Sequence, residues 1–418
     1  MSNSAVSPRR LLPLFLALVV LVIGLFAAFL LLNTNALDGA KRRATGSDTI
    51  VFDADEPCTA ALLGQTLAVA DPAGLRLLNA DGTAAAERSG SLAEPALLTN
   101  GRFALAYDVG GSCALLLRDD GKTAATLPVD TAVYDAALTA DGDAALLRAG
   151  ADCLAVLEVY DRTGTLRYRR NSNTQYLSAC ALSPDGALLA AATAGEADAA
   201  FESAVELYRT GKEEVVFRLP LGEEVLCDLA FLSDGTLCAV GERTLYFLSA
   251  DGALLGSYAP DGGRLLRWSF SEDGVSVLTE SFSAGTACSL LRLDRTGAVL
   301  AEAALDGAPL SLSSAGSYTA VLTERRLTVF DKQLRVTLEA EHSGSRLVLM
   351  RDDGVAYAVR TGEAQPFNPW EPLNKSAAAL SGSFVPTYRF ENLEIHKVFL
   401  QFPNLNLEQN PSLTTLAI

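Results

Sequence analysis

Two histidines, seven cysteines and a series of Asp-Gly pairs are the residues of this chain whose types suit chemistry, and their spacing restricts it. His342 and His396 are too few for a histidine-rich metal site, and they leave Ser-His-Asp or Cys-His catalysis without support. Cysteines at 58, 113, 153, 180, 227, 238 and 288 show no Cys-x-x-Cys spacing, and an odd number cannot pair completely within one chain. Most stand where neighbouring segments carry Ala, Leu or Val, as in Leu237-Cys238-Ala239-Val240, so they read as small buried hydrophobes. Cys227 and Cys238, which flank one hairpin, are the one disulfide candidate. The Asp-Gly pairs have the composition of calcium-loop fragments, yet no Asp-x-Asp-x-Asp-Gly run occurs; Asp141-Gly142-Asp143 comes nearest. A glycosidase needs two carboxylates a few ångströms apart, and so many acidic residues neither exclude such a pair nor locate one. No glycine-rich loop follows a strand and opens a helix, so a phosphate cradle of that kind is missing. The residues therefore assign no catalytic, metal or cofactor site, imply no cofactor, and leave the binding residues unidentified.

The same Asp-Gly pairs carry a different message when their surroundings are compared. Ser183-Pro184-Asp185-Gly186 has a short apolar run on each side, Cys180-Ala-Leu182 before and Ala187-Leu-Leu-Ala190 after. Variants recur as Leu138-Thr-Ala-Asp-Gly142, Phe231-Leu-Ser-Asp-Gly235, Phe270-Ser-Glu-Asp-Gly274 and Leu349-Met-Arg-Asp-Asp-Gly354, with weaker copies ending at Gly64, Gly101 and Gly316. Glycines at 64, 101, 142, 186, 235, 274, 316 and 354 set a period near 40 residues, the signature of a propeller blade. Each repeat has a second turn: Asn79 to Gly82, Asp119 to Gly121, Asp161 to Gly164, Arg209 to Gly211, Ser249 to Gly252 and Asp294 to Gly297. In the seventh repeat Asp331-Lys-Gln333 takes that place without a glycine, and in the eighth Arg360-Thr-Gly362 does. Gly permits positive φ and Asp caps its own backbone, which suits both residues to tight turns.

Two turns and a longer connection per repeat give four strands, a to d, too short for helices and rich in Val, Leu, Tyr and Phe. One such sheet cannot cover both its faces, but sheets stacked radially cover one another. The fold expected is all-β: a β-propeller of eight four-stranded blades over residues 48–368, with seven as the alternative because the first copy is degenerate. The eighth repeat stops at Glu363-Ala-Gln-Pro-Phe367 without an outermost strand, and Asp48-Thr-Ile-Val-Phe52 is placed to supply it. A ring closed by both chain ends leaves no exposed edge.

Leu11 to Leu32 is uncharged over 22 residues, about 33 Å as a helix, which matches the hydrocarbon thickness of a bilayer. It is longer than the apolar core of a signal peptide and reads as an uncleaved transmembrane anchor. Residues 1–10, with Arg9 and Arg10, then form a short cytoplasmic tail, and 33–47 a linker. A long domain after such an anchor crosses the membrane largely regardless of its charge, which puts the propeller outside the cytoplasm. Residues 369–418 lose the turn pattern and read as an irregular, mobile tail. Apolar residues make up 49% of the chain, enough for a sizeable core. Between residues 48 and 369 there are 45 acidic and 25 basic side chains, a formal charge of −20 that repels phosphate backbones and argues against a nucleic-acid partner.

Ala181-Leu-Ser-Pro-Asp-Gly-Ala-Leu-Leu-Ala190 resembles blades of WD40-like and TolB-like bacterial propellers, and the turns Asp161-Arg-Thr-Gly164 and Asp294-Arg-Thr-Gly297 resemble those of quinoprotein-type blades. The whole arrangement is similar to singly anchored propeller proteins of Gram-positive bacterial membranes. The Gly-His and Trp-Asp dipeptides of true WD40 blades are missing. So is the Trp after the Thr-Gly turn of quinoprotein blades, and the sialidase box is incomplete in every repeat. The resemblance thus implies a fold without an activity. The functional expectation is a non-enzymatic binding, scaffold or sensing module at a bacterial envelope, meeting a protein or small ligand at a propeller face. The alternative is a hydrolase or lyase with carboxylates and arginines at the channel mouth.

Overall fold

The computed structural model describes residues 49–368 except 123, 198–199, 213, 282–286 and 343. The anchor at 11–32, its flanking segments and the tail with His396 lie outside the described residues. Among those described, thirty-two strands form eight four-stranded antiparallel sheets, and no helix is long and apolar enough to cross a membrane. After β1 (Ile50–Val51), blades 1 to 7 each use four consecutive strands, from Thr59–Leu63 at the start of blade 1 to Val336–Glu341 at the end of blade 7. Blade 8 holds β30 (Leu347–Met350), β31 (Ala356–Arg360), β32 (Glu363–Phe367) and, as its outermost strand, β1. Ile50 pairs with Ala364 and Val51 with Glu363, and the Phe52 amide donates to the Gly362 carbonyl at 3.0 Å. The ring is therefore closed by the N-terminal segment, with eight blades rather than seven.

Closure also corrects one turn. Arg360-Thr-Gly362 does not join the third and fourth strands of blade 8; it joins the second and third, because the fourth comes from the other end of the chain. Thr-Gly suits any tight antiparallel turn, so composition alone did not separate the two positions. Seven of the eight first-turn glycines lie between strands a and b, with Gly186 at φ +67°, and Gly274 is the first residue of strand b in blade 6. In blade 7 the second turn is completed by Leu334, which holds φ +54° without being glycine.

The energetics are distributed. Among the described residues, eight apolar clusters each span two neighbouring blades, as where Phe103, Leu105 and Tyr107 of blade 2 meet Val133, Leu146 and Tyr160 of blade 3. Second strands are covered on both faces and read as continuous apolar runs, for example Phe103–Asp108, buried at every residue. Outermost strands face water on one side and alternate, as at Ala84–Ser89 and Val336–Glu341.

First strands of adjacent blades touch one another and so line the channel. Side chains on one accept from the backbone of the next: Asp135 from the Cys180 amide at 2.9 Å, Ser311 from Val348 at 3.1 Å, Ser313 from Met350 at 3.0 Å. Such bonds satisfy backbone donors that a β-ladder cannot reach between blades.

All seven cysteines are free thiols. Four are buried and three half-buried, as small hydrophobes would be. Cys227 and Cys238 are not bridged, because Cys238 sits opposite Ala230. Cys227 is displaced three residues along the strand, about 10 Å, beyond the reach of a disulfide.

Candidate functional site at the ring closure

Antiparallel blades sort their connections onto two faces. The a–b and c–d turns share one, and the b–c and d–a connections share the other. On the turn face, aspartates are structural. Asp185 accepts from the Ser183 hydroxyl at 2.6 Å and the Ala187 amide at 3.0 Å, and these bonds, the Ser183 one foremost, hold its pKa below the usual carboxylate range. Asp143 of the calcium-like fragment is paired with Arg167 at 2.8 Å. Neighbouring blades are tied turn to turn by Arg295–Asp234 at 3.0 Å and Lys332–Asp273 at 2.8 Å.

The opposite face differs where the ring closes. The strap of residues 52–58 between β1 and β2 (Thr59–Leu63) separates two cavities. The outer one, about 240 Å³, is lined by Asp53, Asp55, Asp71 and Glu87 with Arg76 and Arg88. Its cations serve the structure: Arg76 pairs with Asp71 and donates to the Asp53 carbonyl at 2.6 Å, and Arg88 donates to Thr126 of blade 2 at 2.9 Å. Four carboxylates there are not grouped as a metal site, and no cluster of three or more His, Cys, Asp or Glu suited to a metal occurs among the described residues.

The inner cavity, about 190 Å³, opens at the channel mouth. Three arginines line it: Arg267 on β22 (Gly263–Ser271) of blade 6, Arg346 just before β30, and Arg360 at the end of β31. Hydroxyls of Thr59, Ser311 and Thr361 and the apolar surfaces of Phe52, Leu310, Leu347 and Val359 complete it. One carboxylate, Glu56, lies among these lining residues. Thr361 donates its hydroxyl to Glu56 at 2.5 Å, whereas the Arg346 guanidinium stands 3.8 Å away, beyond hydrogen-bonding distance. Arg360 is paired with Glu363, its Nε donating at 2.9 Å. Backbone geometry sets these positions: the Arg346 amide donates to the Val359 carbonyl at 3.0 Å, which fixes the start of β30 against the end of β31. Arg267 directly follows a bulge that strand a carries at the same place in blades 3 to 7. Bulges re-aim the side chains beside them.

Chemically the cavity is a cationic pocket with an apolar wall. Burial pushes the Cys58 thiol up, so it stays protonated and a poor nucleophile near neutrality. Two carboxylates do stand on channel strands, but Asp135 accepts from Cys180 and Asp228 from the Trp268 indole at 2.7 Å, blades apart. His342 follows blade 7 as a loop residue; its Nε2 donates to the Thr323 carbonyl at 2.8 Å, and burial lowers its pKa, which keeps the ring neutral. None of the three arginines is marked by sequence spacing. Only Arg360 lies in a segment the repeats single out, and there as part of a turn.

Comparison with known proteins agrees with this architecture. The chain belongs to the family described as "Family of unknown function (DUF5711)", whose match runs over residues 48–359. No curated protein matches it in sequence. Among solved structures it is similar to the C-terminal WD40 domain of Sif2, at 14% identity and a TM-score of 0.55, with 76% of this chain and 95% of that domain covered. BamB from Moraxella catarrhalis is also similar, at 14% identity and a TM-score of 0.48 over 74% of this chain and 95% of that one. At such identities the likeness is one of fold.

Proposed function

We propose that the protein is a non-enzymatic binding or scaffold module, tethered to a bacterial membrane by Leu11–Leu32 and working outside the cytoplasm through its channel mouth. The inequality of the two faces carries this reading. The turn face is committed to tying blades together, whereas the mouth holds the arginine-lined cavity. Propeller ends gather loops from every blade, so a partner there is contacted by many short segments at once. The cavity has a single lining carboxylate rather than the pair a glycosidase needs, and its thiol stays protonated, which favours binding over hydrolysis.

Two measurements test the two halves of the proposal. Protease added to intact, wall-stripped cells should digest the propeller; full protection would place it in the cytoplasm. Purification from solubilised membranes should enrich a specific partner, and substitution of mouth residues should release it. Recovery of the protein alone would refute the scaffold.

A further inference from the structure

We propose that the inner cavity at the ring closure is a binding site for an oxyanion, carboxylate or phosphate, borne on a compact apolar body. The inference rests on the mouth as the working face and not on the membrane tether. Three guanidiniums from blades 6 and 8 line one cavity whose one lining carboxylate is Glu56, Arg360 being paired in addition with Glu363 beside it, in a propeller whose formal charge is −20. A fold so acidic repels anions nearly everywhere, and a concave cationic pocket is where its field is locally reversed.

How this protein treats an arginine that serves packing is visible elsewhere. Arg148 is sealed at 4% exposure between Glu158 at 2.7 Å and Asp130 at 2.8 Å. Arg346 and Arg360 remain 37% and 38% exposed although each has an ion-pair partner, Glu56 at 3.8 Å and Glu363 respectively, and Glu56 also takes a 2.5 Å hydrogen bond from Thr361. Guanidinium presents a planar fork that matches carboxylate and phosphate oxygens two at a time. The hydroxyls of Thr59 and Ser311 can donate to remaining oxygens, that of Thr361 can do so once it leaves Glu56, and Phe52, Leu310, Leu347 and Val359 offer apolar contact to whatever carries the anion. Glu56 is then a competitor: it occupies the cation field that the ligand would use.

The test is calorimetric titration of the purified full-length protein with 4-phenylbutyrate, phenyl phosphate and the uncharged 4-phenylbutyramide. Saturable binding is expected for at least one of the two anions, and the better anion identifies the source group. The amide should bind at least about tenfold more weakly, since charge-assisted hydrogen bonds are lost. Arg346→Gln and, independently, Arg267→Gln should each weaken the anion about tenfold or more, while Glu56→Gln should tighten it severalfold. Thermal melts of each variant guard against misfolding, and the two arginines lie on different blades, so one can fail to fold without ending the test. Absence of saturable binding by both anions would overturn the proposal, as would affinity that none of the three substitutions alters. A failed titration leaves the topology experiment in cells untouched, and the reverse also holds.

Discussion

Arg148 and Arg360 stand at the fifth residue of the second strand in blades 3 and 8, in Ala144–Ala149 and Ala356–Arg360. Equivalent by register, they have opposite fates. Blade 3 has a complete third and fourth strand, and Arg148 is enclosed by Glu158, Asp130 and the Thr131 hydroxyl. Tyr160 donates to the same Glu158 at 2.7 Å, and burial together with that carboxylate raises its pKa far above the ordinary tyrosine value. In blade 8 the fourth strand is only Ile50–Val51, and the strap beyond it opens the cavity beside Arg360. A repeat position does not own a role. What covers it decides whether a charge is structure or site.

Substitutions at these and other register-equivalent positions separate buried roles from exposed ones. Arg148→Ala should cost most, about 3–5 kcal/mol, because it strands a buried carboxylate. The pair Arg148→Met with Glu158→Leu should recover most of that loss, and denaturant melts would show it. If Arg148→Ala cost under about 1 kcal/mol, the pair would not be structural.

Gly142 and Gly235 extend the argument to the turn face, with φ of +90° and +88°. A Cβ on Gly142 would meet the buried Phe103 ring at 2.7 Å, whereas one on Gly235 would meet nothing within 4 Å. Gly142→Ala should therefore destabilise by about 2–4 kcal/mol, adding overpacking to strain. Leu334 holds a conformation given to glycine in Gly164 and Gly297, yet its side chain is 6% exposed in the core of blades 6 and 7. Glycine there relieves about 1 kcal/mol of strain but forfeits about 2–5 kcal/mol of burial, so Leu334→Gly should lose roughly 2 kcal/mol net. Gly235→Ala should lose only about 1 kcal/mol, from strain alone. The smallest effect belongs to Arg360→Ala, within about 1 kcal/mol, since its pair with Glu363 is partly exposed. A melting temperature for Arg360→Ala as low as that of Arg148→Ala would erase the distinction between the two blades.

Much of the fold was legible because its signals are local. Each first-turn glycine sits within reach of its own two strands, and the missing strand of the eighth repeat was visible as a shortfall that Asp48 to Phe52 could fill. Signals failed where one composition serves two purposes: Thr361-Gly362 turns between the second and third strands, and Leu334 adopts a glycine's conformation. The cavity was illegible for a different reason. Arg267, Arg346 and Arg360 approach one another only after the ring has closed, and a single arginine at a strand end is indistinguishable from a solvated one. Aligning the repeats strand by strand would have matched Arg360 with Arg148, but not shown which of them is open.

Ring closure has a consequence for how the protein is made. Ile50 and Ala364, partners in the finished ladder, lie more than three hundred residues apart in the chain. During synthesis the closing strand leaves the ribosome before any blade exists and must wait for the last one to emerge. Blades 1 to 7 can each form from strands made consecutively, but the eighth depends on the slowest kind of contact, one between segments distant in the chain. The first strand made is the last to find its partner, and the arginine-lined cavity is completed only at that moment.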